Sequence, residues 1–150
     1  MSTVETMTDG VSAYHLGLLD ELRTDDSPHS KRTLRTHLLG TLQYLRDWGL
    51  DEPVAVAGLF HSIYGTQSYT RQSTSLDDRH EMRARMGERA ERLAWQFCVA
   101  DPGGFFYEVD KRSPRLWNHI EHRLFETTAE DLKDLIDVEI ANLIQQVDPE

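Results

Sequence analysis

The chain has one cysteine, Cys98, among its 150 residues, which excludes an internal disulfide and any cysteine-cluster metal site. It also lacks a run approaching the roughly 18 apolar residues that cross a bilayer, and its first residues lack the basic segment and apolar stretch of a secretory signal. Neither insertion nor secretion is expected, and a cytoplasmic setting fits. Basic residues are few: 16 Lys and Arg against 26 Asp and Glu leave a formal charge of -10. Such a field repels a phosphate backbone, so nucleic-acid binding is not expected. There is no internal repeat, long linker or low-complexity tract. With 39% hydrophobic and 28% charged residues, the composition is that of one soluble globular domain, long enough to bury a core without cross-links.

Two histidines stand out in the stretch Thr33 to Thr66. A helical reading places Leu34, His37, Leu38, Thr41, Leu42 and Leu45 on one side and turns Arg35, Gln43 and Arg46 away. His37 then points inward, one turn from the Thr41 hydroxyl. A second helix is expected from Pro53 to Tyr64, following Asp51 and Glu52 and apolar nearly all round, hence central. Ala57 and Gly58 lie one turn before His61 and leave room for a neighbouring helix, a ligand or an ion, and Gly65 ends the helix.

Around this pair the chain reads as mostly helical. Residues 1–10 are polar and expected to be loose. A short helix covers Val11 to Leu22, with His15 beside its apolar stripe, and Arg23 to Ser30 forms a loop carrying His29, a minor candidate. The polar connection Gln67 to Ser75 is long enough to cover the end of the central helix as a flap. Leu76 to Met86 and Gly87 to Val99 form two helices broken at Gly87, or one that tolerates it. Their alternating acids and arginines, Glu91, Arg79 and Arg83 among them, are expected to form solvated pairs, and Cys98 is a small buried hydrophobe. Asp101 to Gly104 make a break. A short extended piece is expected around Phe105 to Val109, then a helix or turns from Pro114 to Phe125, where His119 and His122 fall three apart. Thr128 caps a last helix through Asp131. Its expected stripe is Leu132, Ile136, Ile140 and Leu143, with Glu139 inside it, Asn142 at its border and Asp137 farther round. A carboxylate in such a stripe needs a partner.

Three kinds of chemistry suit two inward histidines, a late carboxylate and a set of hydroxyls. His37, His61 and a carboxylate, Asp137 or Glu139, can hold one divalent metal with water completing the shell. Without metal, one histidine can act as general base while Tyr64, Thr41 or Thr66 orients an oxyanion or hydroxyl. In the third case the histidines are structural, locked to Thr41, Ser62 and main-chain carbonyls. Arg79 or Arg83 turned into the pocket indicates an anionic ligand, and Asn142 is placed to contact substrate. A non-catalytic ligand-binding or partner-binding module is the alternative, supported by any exposed apolar strip on the last helix or around Phe105, Phe106 and Tyr107. The expected partner is a small molecule, and a homodimer is compatible.

His37, followed 24 residues on by His61 in AGLFHS, a polar segment and MRARMGERAERLAW, resembles the HD-domain metal-dependent phosphohydrolases, particularly the alarmone hydrolases. The resemblance implies an all-α, HD-domain-like helical bundle in which one His, a His-Asp pair and a later Asp hold a metal against phosphate. His37 matches the first His and His61 the His of the pair. Ser62 stands where the pair has Asp, and Tyr64, Gly65 and Thr66 follow where alarmone hydrolases place acids. The closing Asp corresponds to Asp137, or its role falls to Glu139. HLLGTLQYLRDWG, AGLFHSIYGT and GERAERLAWQF are similar to a family of HD-like bacterial and fungal proteins that carries HSIYGT itself and has no activity to transfer. The resemblance implies a small-molecule enzyme, a mononuclear-metal hydrolase acting on an anionic or phosphorylated substrate, and the residues themselves leave a metal-free isomerase, cyclase or lyase as the alternative.

Overall fold

The Thr33 hydroxyl accepts the Thr36 backbone N–H at 3.3 Å and so begins the helix on which the others assemble. The computed structural model describes residues 13–22, 28–29 and 32–147. The expectations for residues 1–10 and for most of the loop before His29 lie outside the described residues, as does any role of the His29 side chain. A first helix, α1, spans Ala13–Glu21. Two short antiparallel strands follow, β1 (Pro28–His29) and β2 (Arg32–Thr33). Then come α2 (Leu34–Asp47) and α3 (Glu52–Leu59). A single 3-10 turn at Leu76–Asp78 leads into α4 (Arg79–Met86), and Gly87, at φ 95°, separates it from α5 (Glu88–Val99). The chain ends with α6 (Pro102–Glu108), an antiparallel hairpin of β3 (Arg115–Asn118) and β4 (Arg123–Glu126), and α7 (Ala129–Val147).

α2 packs against α3 and α7, α3 also meets α5 and α7, and α6 lies between α7 and the hairpin. The inward face of α2 is the expected one, with Leu34, His37, Leu38, Thr41, Leu42 and Leu45 all buried. α3 is buried from Val54 to Leu59, as a short helix apolar all round must be. Its fully buried Leu59 side chain contributes about 2 kcal/mol through the water it sheds.

Three elements depart from the sequence reading. The central helix stops at Leu59 rather than Tyr64. In a regular helix the Gly58 carbonyl would take the Ser62 N–H, but here the His61 ring takes it through Nδ1 at 2.7 Å. The chain turns through Phe60–Tyr64 to Gly65, whose φ of 80° suits glycine; a Cβ there would lie 2.8 Å from the Thr70 carbonyl oxygen. Phe105 belongs to a helix, not an extended piece, because Asp101 caps α6 by accepting the Gly103 N–H at 3.1 Å and Pro102 fits its first turn. Residues 115–126 form a hairpin, with Leu116 and Asn118 buried and Arg115 and Trp117 exposed in the alternation of a strand. The Asn118 side chain accepts the N–H groups of Ile120 and Glu121 and so builds the turn. His122 sits in it at φ 58°, so His119 and His122 do not share a helical face.

The last helix is also rotated from expectation. Thr128 caps it by accepting the Asp131 N–H at 3.0 Å. Its buried face runs through Leu135, Val138, Ala141, Asn142 and Gln145, while Ile140 and Leu143 are 38% and 48% exposed. That rotation turns Glu139 and Asn142 toward the histidines. No helix among the described residues is long and apolar enough to cross a membrane.

Candidate functional site

α2 supplies His37, the turn after α3 supplies His61, and α7 brings Glu139, Asn142, Gln145 and Gln146 against them. The two imidazole centroids are 5.2 Å apart. Asn142 stands between them: its Oδ1 lies 2.8 Å from His37 Nε2 and 3.1 Å from His61 Nε2. On its other side Asn142 Nδ2 donates to Glu139 Oε1 at 3.0 Å. Gln146 Nε2 donates to Asn142 Oδ1 at 3.2 Å.

Donor and acceptor chemistry limits what this network can be. The Gly58 carbonyl only accepts, so His61 Nδ1 carries a hydrogen. His37 Nδ1 faces the Gln145 amide at 2.5 Å, and because that amide presents either its oxygen or its NH2, this nitrogen can donate or accept. A neutral ring protonated at Nδ1 presents a lone pair at Nε2, and a lone pair does not bond an amide oxygen. The network therefore closes with His61 as an imidazolium and His37 as its Nε2–H tautomer, both donating to Asn142 Oδ1, and an anionic Glu139 accepting Nδ2. It also closes, with the loss of the bond from Gln146 Nε2, when the Asn142 amide is turned by half a rotation, Nδ2 donating to the imidazoles and its oxygen accepting a protonated Glu139. The two forms differ by one proton passed between Glu139 and the histidines. Burial raises the Glu139 carboxyl above its ordinary range, opposed by the bond from Asn142 and supported by the negative charge of Asp101.

His61, Ser62, Thr66, Tyr69, Glu139 and Asn142 line a cavity of about 420 Å³, with Leu143 and Val147 on the same helix as Glu139 adding apolar wall. Ser62 Oγ, in a residue only 3% exposed, has no hydrogen-bond partner among the described residues. The segment expected as a flap contributes to the wall: Thr66 Oγ1 accepts the Tyr69 N–H at 2.9 Å, and the chain returns through bonds from Ser73 and Thr74 to the Ile63 carbonyl.

Of the residues singled out from sequence, His61, Thr66, Glu139 and Asn142 meet at the cavity, and His37 stands behind Asn142. Thr41 donates to the His37 carbonyl at 2.9 Å and stays in the helix. Tyr64, expected to orient an oxyanion, instead donates to Glu91 Oε2 at 2.8 Å, and its phenol is pushed far above the ordinary range by burial and then by that carboxylate. Arg79 and Arg83 do not enter the cavity. Arg79 holds both oxygens of Glu91 at 2.8 Å, Arg83 approaches at 3.6 Å, and Arg79 also stacks 4.2 Å over Trp95. Glu91 is thus fully buried, not a solvated surface acid. Cys98 is inert, its thiol pushed up to about 12 by burial, and it donates to the His61 carbonyl.

A metal held by His37, His61 and a carboxylate requires an anionic oxygen beside both rings. Asp137 is engaged by Lys133 at 3.0 Å, and Glu139 reaches the amide of Asn142. Among the described residues no group of three His, Cys, Asp or Glu side chains is placed to hold a metal ion. The donors that converge are two imidazoles and a neutral amide, which do not fit the expected set.

Gln145 and Gln146 were not singled out from sequence. Their signal is spacing: Glu139, Asn142, Gln145 and Gln146 recur at three and four residues, a polar face on an otherwise apolar helix. No curated protein matches the chain, and no solved structure does. The model of one family, described as a domain of unknown function (DUF6817), matches residues 18–102, more than half of the chain and including both histidines. The chain therefore belongs to the DUF6817 family.

Proposed function

We propose that this protein takes a small polar molecule into the His61 cavity and moves a proton on it without a metal, as an isomerase, cyclase or lyase does. The observation that carries the reading is the Asn142 amide, bonded to Glu139 on one side and within reach of both imidazoles on the other, in the wall of that cavity. Acid–base catalysis needs a group that keeps its proton toward neutral pH and a second that receives it. Burial raises the proton affinity of Glu139, the Nδ1 anchor of His61 directs its Nε2 at Asn142, and either group can be the one that gives the proton. Ser62 Oγ is the hydroxyl available to a reacting oxygen. The core is then a degenerate HD-like domain in which Ser62 stands where the pair has Asp, and the hydrogen bonds of the neutral Asn142 amide stand where ligation is otherwise expected.

Incubation of the protein in D2O with pools of small hydroxy and carbonyl compounds, followed by proton NMR, tests the reading. Deuterium should enter one compound at a single position, and that exchange should disappear in His61→Ala and Glu139→Gln. Binding at the cavity with no exchange in any compound would make the protein a binding module instead.

A further inference from the structure

Resting on the cavity reading above, we propose that its ligand is a small organic cation, an alkylammonium whose nitrogen is held by Glu139 and whose carbon chain lies against Tyr69, Leu143 and Val147. The described residues lining the cavity include one carboxylate, Glu139, and neither Lys nor Arg. The arginines that sequence spacing offered for an anion are committed to Glu91. Asp101, beside the lining residue Pro102, adds its negative field at Glu139. A phosphate or carboxylate ligand would meet this charge with no Lys or Arg among the described lining residues to offset it, and the titratable His61 ring is turned to the Asn142 amide.

The bond from Asn142 to Glu139 is dipolar and brings no countercharge. Burial raises the proton affinity of the carboxyl for that reason. An ammonium supplies the missing charge and three N–H donors. Acceptors for those donors share the wall: the Glu139 carboxylate, the Thr66 hydroxyl, and Ser62 Oγ, which has no hydrogen-bond partner among the described residues and belongs to a residue 97% buried. The volume of about 420 Å³ lies in the usual range for small-molecule sites.

Calorimetric titration with n-butylammonium chloride tests this, with n-butanol and sodium butyrate as neutral and anionic controls at equal ionic strength. Amide NMR signals of Ser62, Glu139 and Asn142 locate the site. Butylammonium should bind there, butanol more weakly and butyrate not at all. Glu139→Gln, whose amide oxygen still accepts from Asn142, should stay folded and lose about tenfold or more in butylammonium affinity, and Ser62→Ala should lose less. Butanol or butyrate binding as tightly as butylammonium, or unchanged affinity in folded Glu139→Gln, would overturn the cation and leave the cavity reading standing. If none of the three probes moves those signals, the cation is overturned, while the cavity reading stands or falls on the deuterium-exchange experiment above.

Discussion

Glu139 has a folded-state proton affinity raised by burial above the ordinary value of 4.5, and the sign of the consequence follows from linkage. Between the unfolded and folded values the native protein binds more protons than the unfolded chain, so stability falls as pH rises through that window. Above it the cost of the buried charge is fully present. Glu139→Gln should therefore be more stable than the wild type at neutral pH, the difference vanishing in acid where the carboxyl is protonated in both states. Chemical denaturation at pH 4 and pH 8 checks this, and equal stability differences at both would show the side chain to be solvated. Asn142 carries the complementary prediction. Asn142→Asp places an anionic oxygen where Oδ1 now meets both Nε2 atoms and completes a two-histidine, one-carboxylate set. The variant should retain close to one zinc ion after reconstitution and dialysis, measured by elemental analysis, and the wild type should not. His37, His61 and Glu139 were legible in sequence because a polar group at an apolar helical position is conspicuous. Arg79, Arg83 and Glu91 were misread because a run of alternating charges looks the same whether it is solvated or folded over a tyrosine.

The site depends on how two helices end and meet. α3 ends one turn early because the His61 ring takes the Gly58 carbonyl, and the same bond aims Nε2 at α7. α2 approaches α7 closely at Gly40, where an added Cβ would lie 2.6 Å from Gln145 Nε2 and 2.7 Å from its Cγ. Gly40→Ala should displace Gln145 from His37 and destabilise the fold by about 1–3 kcal/mol. Gly17→Ala in α1 is the control, since its Cβ meets nothing within 4 Å, and it should gain up to about 1 kcal/mol from helix propensity. Denaturant unfolding of both variants separates close approach from propensity. At this scale periodicity served the long helices well and the short pieces poorly. The α2 face was legible over four turns, whereas Pro102–Glu108 is too short for a period to appear and takes its helical form from the Asp101 cap. The hairpin from Arg115 to Glu126 was obscured because Trp117, Ile120 and Leu124 mimic a helical stripe, yet all three are exposed.

Over the whole molecule, the helices form one core in which α7 closes against α2, α3, α5 and α6. Its rotation, set by Leu135, Val138 and Ala141 packing inward, could not be read from its own pattern, because Ile136, Ile140, Leu143 and Ile144 make an equally convincing stripe. Only tertiary packing decides between two apolar faces on one helix. The outcome leaves Ile140, Leu143, Ile144 and Val147 exposed and places the polar face over the histidines. A single amide then joins a carboxyl and two imidazoles drawn from three elements. Nitrogen-15 NMR of the His37 and His61 rings across pH, in the wild type and in Asn142→Ala, tests that coupling most directly. The account predicts a hydrogen on Nδ1 of His61 and Nε2 signals that move together with the Glu139 carboxyl in the wild type, the shared transition being lost in the variant. Nε2 titrations identical in the two proteins, or a His61 ring bare at Nδ1, would contradict it.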